Sequence, residues 1–194
     1  TRVVYSKIET RQTVDEIEHP AVREVMKYLE ISRGIEIHHD GDLPARSGMG
    51  SSSSFTVGLL NALHALRGYM PSKPQLAQEA IHIEQERLNE TVGSQDQLMA
   101  TYGGFNHISF SQNGEFSVRP MSLPTKRIEE LNDNLMLFFT GIERIASDIA
   151  ISYVHDIGRM PSFPLYTVSP SFLLQDSPLV MLMMRLTLMT TMTF

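Results

Sequence analysis

Residues 43–57 read LPARSGMGSSSSFTV. Two glycines flank Met49, four serines follow, and the run leads into an apolar helical pattern. One reading is a flexible linker that ends in a serine helix cap. The other is an anion cradle. Backbone N–H groups at a helix N-terminus, aided by the positive end of the helix dipole, attract phosphate. Gly48 and Gly50 would let the backbone turn tightly and approach a ligand, and serine hydroxyls add donors or hold a magnesium ion. Pro44 stiffens the approach and the following helix is patterned, which favours the cradle. The stretch is not a Walker A loop, since no lysine follows the glycines. Nor is it a nucleophile elbow, since Gly48-Met49-Gly50-Ser51 lacks the central serine.

The run predicts a helix over 52–67, with Phe55, Leu59, Leu63 and Leu66 as its apolar stripe. Upstream, VVYSKI (3–8) reads as a strand. HPAVREVMKYLEI (19–31) reads as a helix with Val22, Val25, Met26 and Leu29 at helical spacing. GIEIHH (34–39) alternates like a half-buried strand. Downstream, a helix is predicted over 73–90, with Ser72 as N-cap and Pro74 in its first turn. A short helix is expected after Gly93, and a hairpin around Asn113-Gly114. NLMLFF (134–139) reads as a buried strand, and a helix is expected near Ile145.

Composition bounds the functional classes. The chain has 194 residues and is 42% hydrophobic, which suits one globular domain or one domain plus a fragment. A net charge of −6 argues against nucleic-acid and anionic-membrane partners. The absence of cysteine rules out disulfides and thiolate metal sites and fits a cytoplasmic location. The first ten residues have no apolar signal core. From Asp156 onward charges are sparse and methionine, proline and threonine abound, with no surviving period. Residues 153–194 therefore read as an atypical tail, and its apolar end is too short for a membrane span.

Two carboxylates require explanation. With Ala77 set at zero on the third helix and about 100° per residue, Ile81, Glu84 and Leu88 fall within about 40° of it. Glu84 thus lies on the apolar stripe, and Glu86 on the opposite face. A carboxylate facing a core is costly unless paired or bound to metal. The alternative is an edge position that reaches solvent. Asp96 has two readings. Ser94 and Gln97 are spaced as a capping box, with Asp96 an acid in the first turn. The same geometry would keep a general base ionised for a substrate hydroxyl. The seven histidines form no metal-ligand pattern and read as structural.

The order of these features resembles the GHMP kinases. LPARSGMGSSSS is similar to their P-x-x-x-G-L-x-S-S phosphate motif, with Met49 in place of leucine. VGSQDQ followed by YGG resembles the segment carrying the catalytic aspartate in the sugar-kinase branch. Glu84 precedes Asp96 by twelve residues, about the separation of the magnesium-ligand glutamate from that aspartate in galactokinase-like members. VVYSKIET, DEIEHPAVREVMKYLEI, QDQLMATYGGFNHISF and LFFTGIERIASDIA extend the likeness to the D-glycero-D-manno-heptose 7-phosphate kinases over residues 3–150.

The resemblance implies an α+β fold, a two-layer N-terminal ATP-binding domain over residues 1–152 with a left-handed βαβ crossover. It implies ATP, Mg²⁺ and a small sugar phosphate as cofactors and partners, with phosphoryl transfer to the anomeric hydroxyl of a heptose 7-phosphate. Arg46, Ser47, Gly48, Met49, Gly50, Ser51, Ser52 and Ser53 would wrap the phosphates, Ser52 and Glu84 would hold Mg²⁺, and Asp96 would be the catalytic base. The family's G-G-G-T-D-like segment and the glycine-rich third motif of its C-terminal domain have no counterpart, so a chain truncated at both ends is expected. A non-catalytic nucleotide-binding remnant and a kinase for a fucose- or galactose-like sugar are the alternatives.

Overall fold

A computed structural model describes residues 1–32, 34–41, 50–111 and 113–136. These fall in two compact units, residues 1–104 and residues 105–136.

In the first unit, β1 (Arg2–Val4) pairs antiparallel with β2 (Ile8–Thr10) and parallel with β3 (Glu36–His38), in the order β2-β1-β3. The single strand expected over 3–8 is instead two strands. The chain reverses between them, and the Tyr5 N–H donates to the Lys7 carbonyl at 2.8 Å. Val3 and Ile37, side by side in the parallel pair, face the core.

Helix α1 (Pro20–Tyr28) starts as its sequence dictates. Pro20 needs no hydrogen-bond partner for a missing N–H, and the His19 ring accepts from the Val22 N–H at 3.4 Å. Val22, Val25, Met26 and Leu29 are all buried. Helix α2 (Ser51–Leu66) starts after Gly50, within the glycine-serine run. Its apolar stripe differs from the expected one. Leu59 and Leu63 are buried, but so are Val57 and Leu60, whereas Leu66 is 67% exposed. The buried face is centred between the leucines and does not track the terminal one. Helix α3 (Lys73–His82) is capped by Ser72, whose hydroxyl accepts from the Gln75 N–H at 3.4 Å. The helical run continues as a π-helical turn, Ile83–Arg87, and α4 (Gln95–Tyr102) comes next. Helix α2 packs against α1, α3 and α4. One apolar core joins Val3 and Ile37 of the sheet to Val22, Met26, Leu60 and Ile83 of the helices.

In the second unit, β4 (Asn106–Phe110) and β5 (Phe116–Pro120) form the expected hairpin, from Asn106 opposite Pro120 to Phe110 opposite Phe116. Gly114 adopts φ +84°, which its lack of a side chain permits. Helix α5 (Thr125–Asp133) completes the described part. The expected strand over 134–139 lies mostly, and the helix near Ile145 and the 153–194 tail entirely, outside the described residues. Among the described residues no helix is long and apolar enough to cross a membrane.

Candidate active site

Three segments that are remote in sequence meet at the start of α2. The first is Gly50, at φ +70°, in the left-handed region that favours glycine. The second is the π-helical turn after α3. The third is the start of α4.

Glu84 occupies the π-helical turn and is 1% exposed. The expectation that it faces the core holds, and the solvent-edge alternative does not. The turn closes through the Leu88 N–H to the Ile83 carbonyl at 2.9 Å, one residue wider than an α-helical bond. Such single π turns carry an extra residue and recur at functional sites. Here the turn places a charged side chain against α2. The Ser53 hydroxyl donates to Glu84 Oε2 at 2.9 Å, and the Gln97 side-chain amide donates to the same oxygen. Glu84 Oε1 is buried and has no hydrogen-bond partner. Thr56 is fully buried beside the same carboxyl, but its hydroxyl completes no hydrogen bond. Burial pushes the Glu84 carboxyl above the usual carboxylate range. The Ser53, Thr56 and Gln97 contacts oppose that rise, and the nearby Asp96 charge adds to it.

Asp96 stands in the first turn of α4, exposed, and faces the start of α2. A Cβ on Gly50 would lie 3.5 Å from its Cγ and Oδ2. The positive end of α2, which has no acidic residue in its own first turn, therefore has the Asp96 carboxylate beside it. The expected Ser94–Gln97 capping box does not form. Ser94 caps α4 without a side-chain bond, and its hydroxyl accepts instead from Gln85 Nε2 at 3.3 Å. Gln97 is drawn inward because a buried carboxylate without donors would cost several kcal/mol, more than a surface cap of about 1 kcal/mol returns.

The four serines separate by helical geometry. Ser52 and Ser54 are exposed, Ser51 is half-buried, and Ser53 is 5% exposed and turned toward Glu84. Ser52, expected to share a metal with Glu84, sits one position before the serine that touches that carboxylate. Arg46, Ser47, Gly48 and Met49 lie outside the described residues. Gln97 was not among the expected site residues. Stepping α4 at about 100° per residue puts Gln97 on one face with Ala100 and Thr101, and that polar position among small residues was the available signal.

The donors here are oxygens: the Glu84 carboxylate with its orphaned Oε1, and the hydroxyls of Ser52 and Ser53. This set suits Mg²⁺, which takes one or two protein oxygens and completes its shell with phosphates and water. It does not suit a soft or imidazole-bound metal. Among the described residues no three His, Cys, Asp or Glu side chains group as an all-protein metal site.

The model of the GHMP kinases N terminal domain matches residues 16–104. The D-glycero-alpha-D-manno-heptose 7-phosphate kinase of Campylobacter jejuni is 34% identical over 127 residues, which are 66% of this chain and 38% of that protein. A crystal structure of a D-glycero-D-manno-heptose 1-phosphate kinase from Bacteriodes thetaiotaomicron superposes with a TM-score of 0.65 at 24% identity, over 81% of this chain and 53% of that one. A Campylobacter jejuni structure assigned as a sugar kinase gives a TM-score of 0.55 at 28% identity, over 72% and 46%. The chain thus spans between about two fifths and half the length of these relatives.

Proposed function

We propose, for a chain whose residues 16–104 are a GHMP kinase N-terminal domain, that it carries the nucleotide-binding part of a sugar-phosphate kinase. The substrate pair is ATP and D-glycero-D-manno-heptose 7-phosphate, and the acceptor is the C1 hydroxyl. One observation carries the reading: a buried glutamate with a free oxygen and an exposed aspartate converge on the glycine-led start of one helix.

In this reading the loop from Arg46 to Ser53 surrounds the ATP phosphates, its backbone N–H groups donating to phosphate oxygens. Ser52 and Glu84 would hold Mg²⁺. When bound, Mg²⁺ neutralises charge on the phosphates. Asp96 accepts the proton of the sugar C1 hydroxyl. The hydroxyl oxygen then bonds to the γ-phosphorus as the bond to the β-γ bridging oxygen breaks, and ADP leaves with that electron pair. Asp96 is exposed, so a substrate hydroxyl can reach it. The closeness of Asp96 to Gly50 at the start of α2 supports this assignment of the base.

Calorimetric titration with MgATP, followed by a phosphorylation assay on heptose 7-phosphate, tests this. Binding with turnover supports the kinase. Binding without turnover reduces the chain to a nucleotide-binding module, and no binding overturns both readings. Turnover on a fucose- or galactose-like sugar in place of the heptose would reassign the substrate.

A further inference from the structure

Three glutamates are buried among the described residues: Glu9, Glu79 and Glu84. Glu9 receives the Glu18 N–H on Oε2 at 2.7 Å and the His19 N–H on Oε1 at 3.1 Å. Glu79 meets His64 Nε2 through Oε2 at 2.6 Å and receives Gln75 Nε2 on Oε1 at 2.9 Å. Both carboxylates have a partner on each oxygen, as a purely structural buried group requires. Glu84 is different. Ser53 and Gln97 both donate to Oε2, and Oε1 has no partner. If these donors only compensated burial, spreading them over both oxygens would do so better.

We propose that Ser53 and Gln97 are positioning residues that fix Glu84 as a one-oxygen ligand. They occupy Oε2 and reserve Oε1 for a divalent cation. Ser53 is then a donor to the carboxylate and not a ligand itself, which leaves Ser52 for the metal. The inference rests on the reading of Glu84 as a metal ligand given above. Its chemical consequence is cation choice. A carboxylate restricted to one oxygen suits the small octahedral Mg²⁺. A carboxylate with both oxygens free can chelate the larger Ca²⁺, which accepts two-oxygen carboxylate ligation.

The test uses the whole chain and a non-hydrolysable ATP analogue. Affinity for the analogue is measured by calorimetry with Mg²⁺, with Ca²⁺ and without metal, for the wild type and for Gln97→Met, Ser53→Ala and Glu84→Gln. Gln97→Met keeps the buried volume and removes the donor. We expect it to weaken Mg²⁺-dependent binding roughly tenfold, as loss of a partner behind a metal ligand does. Ca²⁺-dependent binding should hold or improve, and metal-free binding should stay within about twofold. Ser53→Ala should shift the same ratio in the same direction, and it carries the test if Gln97→Met fails to fold. An unchanged Mg²⁺-to-Ca²⁺ ratio in a folded variant overturns the positioning role while Glu84→Gln still abolishes metal dependence. If Glu84→Gln leaves metal dependence intact, the metal-ligand reading fails and this proposal with it.

Discussion

Glu79 and Glu84 lie five residues apart on one helical run, and both press against α2. Glu79 sits on the regular α-helical part, between His64 and Gln75, with Tyr69 edge-on to the His64 ring at 5.2 Å. Tyr69 in turn donates to Gln75 at 2.7 Å, so the group closes on itself. Glu84 sits where the helix widens, and its partners come from two other helices. A saturated carboxylate ties α2 to α3 and has nothing left to offer. A half-saturated one carries an unmet electrostatic demand that a cation can meet. Buried charge alone does not separate structure from function; the distribution of donors over the two oxygens does.

The comparison breaks most visibly in function. Glu84→Gln should reduce Mg²⁺-dependent nucleotide binding by about a hundredfold, the upper range for metal-site perturbation. Glu79→Gln should leave that binding within about twofold. Titration of both variants with and without Mg²⁺ checks this, and equal losses would erase the distinction. Asp96→Asn should spare binding and lower turnover by about 10²–10⁴, the span of a general base.

In stability the order reverses. His64→Ala strands Glu79 and should cost about 3 kcal/mol, as breaking a buried pair does. Urea unfolding measures it, and a loss below about 1 kcal/mol would make the pair incidental. The pH dependence sharpens the contrast. Because the folded Glu84 carboxyl titrates above its unfolded value, the folded state holds its proton longer. Its contribution is present at low pH and is lost as pH rises from the ordinary glutamate range through the raised folded value. Glu9 runs oppositely. Burial alone would raise it, but the Glu18 and His19 N–H groups and Arg11 bring it below the usual range, so its contribution is lost as pH falls. Subtracting Glu84→Gln from wild type isolates the Glu84 part, and the variant should gain relative stability as pH rises. The smallest effect is Gly50→Ala, about 1 kcal/mol for a side chain at φ +70°.

Much of this was legible in the sequence wherever the controlling interactions are local. The start of α2 follows from the glycine-serine run. The hairpin follows from Asn113-Gly114, and the inward aspect of Glu84 from helical stepping. What escaped was decided by distant partners. No local pattern tells Ser52 from Ser53, because that choice depends on which direction Glu84 approaches from. The Ser94–Gln97 spacing predicts a cap, yet both side chains answer demands from residues 84 and 85. Leu66 satisfies the stripe but extends beyond the core it was expected to cover.

The widened turn at Ile83–Arg87 also has a genetic aspect. A π turn is a helix holding one residue more than its hydrogen-bond ladder needs. Deleting a single codon, that of Gln85, would let the ladder close as an ordinary α-helix, so the chain would still fold through α3. The helical residues after it, 86 and 87, would rotate by about 100° and draw back by about 1.5 Å relative to those before it. The bonds from the Gln85 amide to the Val92 carbonyl and the Ser94 hydroxyl, which tie the turn to the start of α4, would be lost. The segment is a register spacer, and its length in relatives should be as invariant as the residues it aligns.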